Sequence, residues 1–308
     1  MMHSNLSSLA LVFGLMLASG PAVALDVCGT TIGPKEKVVL DSHQNCSESP
    51  AVTVVGPATL DLNGFTITCV GSDQTGISVS GEKAKIVDGT VRECSNGVSL
   101  DLGSTKHYVS GITSRDNQSD GFRSWATESK ISKNRAVAND GHGFNLAFGG
   151  GHKISGNLAA DNGGSGFTSG TGNENSFTKN VALRNFQSGF NMGPGNDHVV
   201  AGNVASGNGE RGFLNGSGSY ATYAKNVASG NSGDGFEMGA GANHRLLKNR
   251  SLGNGGNGFE HHTPNETIYK GNVAEGNGAV GFLLNAGSNH EVVKNVATGN
   301  RGSGFEQH

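Results

Sequence analysis

A 23-residue period runs through the last two thirds of this chain and limits its fold more than any other feature. Phenylalanine recurs at Phe122, Phe144, Phe167, Phe190, Phe213, Phe236, Phe259, Phe282 and Phe305, each after a glycine; the first interval is 22 residues and the other seven are 23. Two asparagine series keep the same register, one from Asn134 to Asn295 and one five places later from Asn139 to Asn300. An apolar series accompanies them at Ile131, Ile154, Phe177, Val200, Tyr223, Leu246, Tyr269 and Val292. Columns held in register through eight repeats define a solenoid, in which each repeat buries its apolar face against its neighbours. The same regularity sets aside disorder, which 51 glycines and few aromatics would otherwise suggest.

Local pattern decides the kind of solenoid. Segments such as Gly235-Phe236-Glu237-Met238 and His290-Glu291-Val292-Val293 alternate over only a few residues, which suits short strands. The glycine and asparagine content would break any helix placed in each repeat. Three short strands and tight bends fill one repeat, so the expected class is all-β, a single-stranded parallel β-helix of about 23 residues per coil. Phenylalanine and the aliphatic series would fill the interior. A small residue two places after each first-series asparagine (Ala136 to Ala297, with Ser251 the one exception) fits a narrow inward position. The asparagines are expected at the corners, tolerating left-handed backbone angles and bonding to their equivalents one coil away.

Residues 1–24 read as a secretory signal, with an apolar run from Leu9 to Leu17 and a cleavage site at Ala22-Val23-Ala24. Residues 25–50 are expected to cap the first coil, and 51–308 to form the solenoid, regular from about residue 120. Ile77 and Val98 stand as early members of the phenylalanine column. No later stretch is long enough to cross a membrane. The net charge of −3, without a basic run, gives no case for nucleic acid. Export and an even cysteine number favour disulfides, and Cys28–Cys46 with Cys69–Cys94 is the preferred pairing because the second spacing is about one coil. A zinc site is the alternative.

The repeats resemble those of the right-handed parallel β-helix proteins of the pectin-lyase-like fold, over residues 60 to 305. The opening pattern Cys28-Gly29 and Leu60-Asp61-Leu62-Asn63-Gly64-Phe65-Thr66-Ile67 is similar to that of many exported bacterial β-helix proteins. This resemblance implies a secreted or periplasmic protein. It leaves several activities open: polysaccharide lyase, glycoside hydrolase, uronan epimerase, accessory protein or adhesin. The Asp-Pro-His-Glu set of the uronan epimerases is missing, as is the clustered Asp set with an Arg base of calcium-dependent pectate lyases.

Candidate chemistry lies in the residue after each phenylalanine, which should point outward. That column reads Arg123, Asn145, Thr168, Asn191, Leu214, Glu237, Glu260, Leu283 and Glu306. Glu237 and Glu260 fall on adjacent rungs about 5 Å apart, where one of two stacked carboxylates should have a raised pKa. The expected catalytic set is Glu237, Glu260, Asp234 and His261, with Arg211, His262 and Lys270 binding substrate. His261 is predicted inward, and Phe259 to Glu266 departs most from the consensus. Pro194 and Pro264 are expected to interrupt the connection after the phenylalanine strand. The series His107, His152, His198, His244 and His290 is read as turn or face residues and not as metal ligands, because two rungs separate them by about 10 Å. The lysines at 133, 179, 225, 248 and 294 are read as a solvated edge.

The leading expectation is a protein that binds or processes a polysaccharide along one exposed sheet. No cofactor is required, and Ca²⁺ is the one cation kept in view. The rival is a structural, adhesive or accessory protein, which the scarcity of long loops and outward aromatics favours. The chain stops just after starting a coil, and the open strand edge there is expected to fray, to be buried against a partner or to pair end to end in a homodimer.

Overall fold

The computed structural model describes residues 25–308 apart from Ser72 and Ala286. The secretory signal assigned to residues 1–24 lies outside the described residues. Three strands, β1 (Thr30–Ile32), β2 (Lys37–Val39) and β3 (Gln44–Cys46), make one coil. They pair in parallel register with β4 (Val52–Gly56), β5 (Thr59–Asp61) and β6 (Thr66–Cys69) of the next. Residues 25–50 are therefore a full first coil. The pattern continues to strand Phe305–Gln307, and one wall becomes a thirteen-stranded parallel sheet in chain order. The first residue of each strand forms a column that runs Thr30, Val52, Ile77, Val98, Phe122 and then through every later phenylalanine.

The other two walls are built from three-residue strands such as Lys130–Ser132 and Arg135–Val137, with a two-residue corner between them. In two earlier coils one strand, Lys85–Arg92 and then Tyr108–Arg115, runs across both walls. Coil-to-coil bonding replaces the local bonding that a helix would provide, which is how a glycine-rich chain satisfies its backbone here.

Inside, the nine phenylalanine rings stack in parallel with centroids 4.6–4.8 Å apart. The rung spacing of a parallel sheet sets that distance. The glycine before each ring is needed for space. A Cβ on Gly212 would stand 2.6 Å from the Gly235 carbonyl oxygen and 2.7 Å from the Ala228 Cβ. Both obstacles belong to the scaffold and cannot swing away, so Gly212→Ala should destabilise by about 1–3 kcal/mol. A urea midpoint that matches wild type would show that the coils slide past each other instead.

Both asparagine series form buried ladders. Asn203 Oδ1 accepts from the Asn180 backbone N–H at 2.8 Å and from Asn180 Nδ2 at 3.1 Å, while its own Nδ2 donates to the Phe177 carbonyl at 2.9 Å. The expected left-handed angles fall one residue earlier than the asparagines. Lys133, Lys179, Lys225, Lys248 and Lys294 have φ of 56–59°, and the same position holds Gly156, Gly202 and Gly271 in the other coils. The asparagine is instead the inward residue that ties the corner to the next coil, and the lysines stay exposed.

The second ladder starts one coil before the sequence series, at Asn117, whose Oδ1 accepts the Cys94 N–H at 3.0 Å. Cys94 is joined to Cys69, with Cα atoms 5.0 Å apart, and Cys28 to Cys46 at 5.1 Å. A covalent link thus stands where the ladder begins.

Candidate functional site

Glu237 and Glu260 face outward on strands Phe236–Ala242 and Phe259–Asn265 and are register partners. These two strands run to seven residues where their neighbours on this wall have three, and they pair as far as Ala242 and Asn265. The segment expected to break at Pro264 therefore continues as strand. The reason is that Ala240, Gly241 and Ala242 of the preceding coil supply an extended edge of matching length.

The lengthened sheet carries a compact charged cluster. Glu237 is only 9% exposed, with the Arg211 guanidinium bound to one carboxylate oxygen and His262 Nε2 3.2 Å from the other. His262 Nδ1 lies 3.5 Å from Glu260, so one imidazole spans the two rungs. Asp234 sits just before the strand, where the Asn257 backbone N–H donates to its Oδ1. Burial pushes the Asp234 carboxyl up to about 7; the Asn257 bond opposes this, and the neighbouring Glu260 and Glu237 carboxylates add to it. The raised carboxyl of the group is Asp234.

Asn257 is a member that the sequence reading missed. Its Nδ2 donates to Glu260 Oε2 at 2.7 Å. The clue was its place in the repeat, since Arg211, Asp234 and Asn257 all stand two residues before a phenylalanine.

Two expected members lie elsewhere. Lys270 ends strand Ile268–Lys270 and pairs with Leu247 and Val293 on another wall. Ten residues of chain carry it around a corner from Glu260. His261 is inward as expected and fully buried, sharing a 2.7 Å hydrogen bond through Nδ1 with the Tyr269 hydroxyl. Burial, reinforced by neighbouring histidines, pushes its pKa down to about 2. Neither residue can touch a polymer lying over Glu237.

The histidine series is a correction. His107, His152, His198 and His244 are at most 1% exposed, so they line the interior and not a solvated turn. In the first three coils Nδ1 accepts a backbone N–H from the coil before: Ala84 to His107 at 3.1 Å, Ser129 to His152 at 3.2 Å, Asn175 to His198 at 3.3 Å. Ser129, Asn175, Ala221 and Thr267 fill the rungs between.

Five rungs from Glu237 the same outward column holds Arg123, whose guanidinium lies 4.2 Å from the Trp125 ring. Trp125, Leu102 and Phe148 line an apolar cavity of about 410 Å³. Among the described residues no three His, Cys, Asp or Glu side chains are gathered around one metal position, and no helix is long and apolar enough to cross a membrane.

Coil, ladders and outward face together define a right-handed β-helix protein, and residues 171–308 match the family described as right handed beta helix region. Residues 36–194, just over half of the chain, match the family described as periplasmic copper-binding protein (NosD), and the chain belongs to that family. It is accordingly a secreted or periplasmic protein, as its two disulfides also indicate. A search of curated proteins finds no match to the chain.

Solved structures share the fold. A double mutant of the periplasmic alginate epimerase AlgG is 15% identical, with TM-score 0.59, over 88% of this chain and 71% of that one. The surface adhesin PfbA of Streptococcus pneumoniae is 10% identical, with TM-score 0.59, over 89% and 82%. The AlgE4 A-module, a mannuronan C-5 epimerase of Azotobacter vinelandii, is 16% identical, with TM-score 0.52, over 91% and 89%. At such identities the likeness concerns the fold alone.

Proposed function

We propose that the protein binds an extended polysaccharide along the outer face of the thirteen-stranded sheet and acts on it at Asp234, Glu237 and Glu260. The observation that carries this reading is Asp234, a carboxyl pushed up to about 7 beside two carboxylates on successive rungs. Such a group keeps its proton near neutral pH and can give it to a glycosidic oxygen, while Glu237 or Glu260 serves as base or nucleophile. Arg211 and His262 would grip an acidic sugar. Trp125 offers a ring for a pyranose to stack on, roughly 24 Å along the same column. Alginate and mannuronan, named for the epimerases of similar fold, are the first uronans to try.

The test follows turnover and binding of acidic and neutral polysaccharides by the mature protein, with and without Ca²⁺. Glu237→Ala or Glu260→Ala should lower turnover by about 10²–10⁴-fold. The rate should fall as pH rises through about 7, because Asp234 then loses the proton it must donate. Folded protein that neither binds nor turns over any of these polymers would end this reading. A second reading, a periplasmic accessory protein without turnover, is supported by the family description, and with it copper binding enters as a property of this chain.

A further inference from the structure

A second outward column, on a wall apart from the thirteen-stranded sheet, carries an unbalanced row of cations. The strand register places Lys37, Thr59, Lys85, Tyr108, Lys130 and Lys153 on six successive rungs. With rungs about 4.8 Å apart, the row is roughly 24 Å long, one residue wide and parallel to the axis of the solenoid. All four lysines are exposed. Among the described residues none of them forms an ion pair, whereas Lys106, two residues before Tyr108, pairs with Glu128 at 3.7 Å. After Lys153 the column continues as Ser176, Val199 and Thr222, so the charge is confined to the early coils.

Such a row works against the sheet that bears it. Like charges directly opposite on neighbouring strands repel, and Lys130 and Lys153 are register partners. Tyr108 stands between Lys85 and Lys130, with their Nζ atoms 5.9 and 5.5 Å from its ring centroid. The ring eases the repulsion between the two ammonium groups without neutralising either. The coil of Lys130 adds Lys133 at the corner and Arg135 just beyond it, both exposed. A local rule broken in one confined stretch marks a surface fitted to something outside the fold. The sequence shows no basic run because the four lysines stand 23 to 48 residues apart, and only the coil brings them together.

We infer that this row is a binding face for an extended acidic polysaccharide, a chain of sugars bearing carboxylate or sulfate groups, held on a different wall from Glu237 and Glu260. Charge complementarity is the first argument. Shape is the second: a row one residue wide fits a linear polymer, whereas a lipid surface calls for a broad patch with apolar side chains that insert. Lysine suits the task because a compact charge on a flexible stem can follow anionic groups whose spacing differs from that of the rungs. Next to Lys153, the part-exposed Ser155, Ser176 and Thr178 offer hydroxyls to sugar oxygens. Binding here needs no chemistry at Asp234, so it holds with or without turnover on the thirteen-stranded sheet. With turnover there, the row would keep the protein on its polymer between events.

The test is isothermal titration of the mature protein with polymannuronate, and with phosphatidylglycerol vesicles in parallel, at low and moderate salt. Wild type should bind polymannuronate, more weakly as salt rises. Lys85→Gln, Lys130→Gln and Lys153→Gln combined should weaken it by at least about tenfold, and arginine at the same three positions should restore it. Lys179→Gln, Lys225→Gln and Lys248→Gln combined remove as much charge from the corners of other coils and should change the affinity by less than about twofold. Glu237→Ala should bind as wild type does. Equal loss in both triple variants would overturn the row, since net charge alone would then attract the polymer. A lowered urea midpoint in the first triple would assign its lysines to folding and overturn it too. So would vesicles bound in preference to polymannuronate. Binding that survives the first triple but is lost in Glu237→Ala would overturn the row and leave the catalytic reading standing.

Discussion

Replacing Asn203 with leucine should cost about 3–5 kcal/mol, more than most core truncations of similar size. The side chain is fully buried and serves four partners on the two flanking coils: Asn180 N–H and Nδ2, the Phe177 carbonyl and Asn226 Oδ1. Leucine has the same branched outline with bulkier methyl groups, so the substitution opens no cavity. The cost comes from the Asn180 N–H left without an acceptor in the interior, and from two neighbouring amides that each lose a bond. Urea unfolding measures the total, and hydrogen exchange at the Asn180 amide locates it. A change below about 1 kcal/mol would mean that water enters the corner and replaces the missing amide.

Phe213→Ala should lower stability by about 3–5 kcal/mol through the cavity it leaves. Its ring is sandwiched between Phe190 and Phe236 at 4.8 Å and meets Tyr223 edge-on at 6.4 Å. Rungs fixed by backbone bonding cannot close the gap. Because each coil touches only its neighbours, the loss should also weaken the coupling between the two halves. Denaturation followed at Trp125 would then report a transition distinct from that of the C-terminal coils. Phe213→Leu should cost only about 1 kcal/mol, since Ile77 and Val98 occupy the same column in the early coils. A single unshifted transition for the alanine variant would contradict the stacked-ring account.

The repeat made the coil legible because register is over-determined: Phe122 to Phe305, Asn134 to Asn295 and Asn139 to Asn300 all report one period. The acidic cluster was legible for the same reason, since Glu237 and Glu260 share a column. What the period cannot convey is which way a residue points after a corner. Alternation restarts there, so His152 and His198 were assigned to a surface although they lie inside. Lys179 and its equivalents take the left-handed angle that asparagine would have taken equally well, and only the ladder bonds decide between them. Lys270 shows the converse error, for closeness along the chain is not closeness in space when each wall is three residues wide. Asn257 was hidden because its column changes chemistry from Arg211 to Asp234 to Asn257.

The ladders also have a direction. In every step the Nδ2 of one asparagine donates to the Oδ1 of the asparagine in the following coil, as from Asn157 to Asn180 to Asn203. The companion row from Asn162 to Asn185 to Asn208 runs the same way. Amide dipoles lined up head to tail polarise one another and add along the axis. The molecule is therefore electrically unlike at its two ends despite a nearly neutral surface. Each row is closed on its acceptor side by a backbone N–H, from Cys94 to Asn117 and from Ile112 to Asn134, so the polarity begins inside the solenoid and runs toward the later coils.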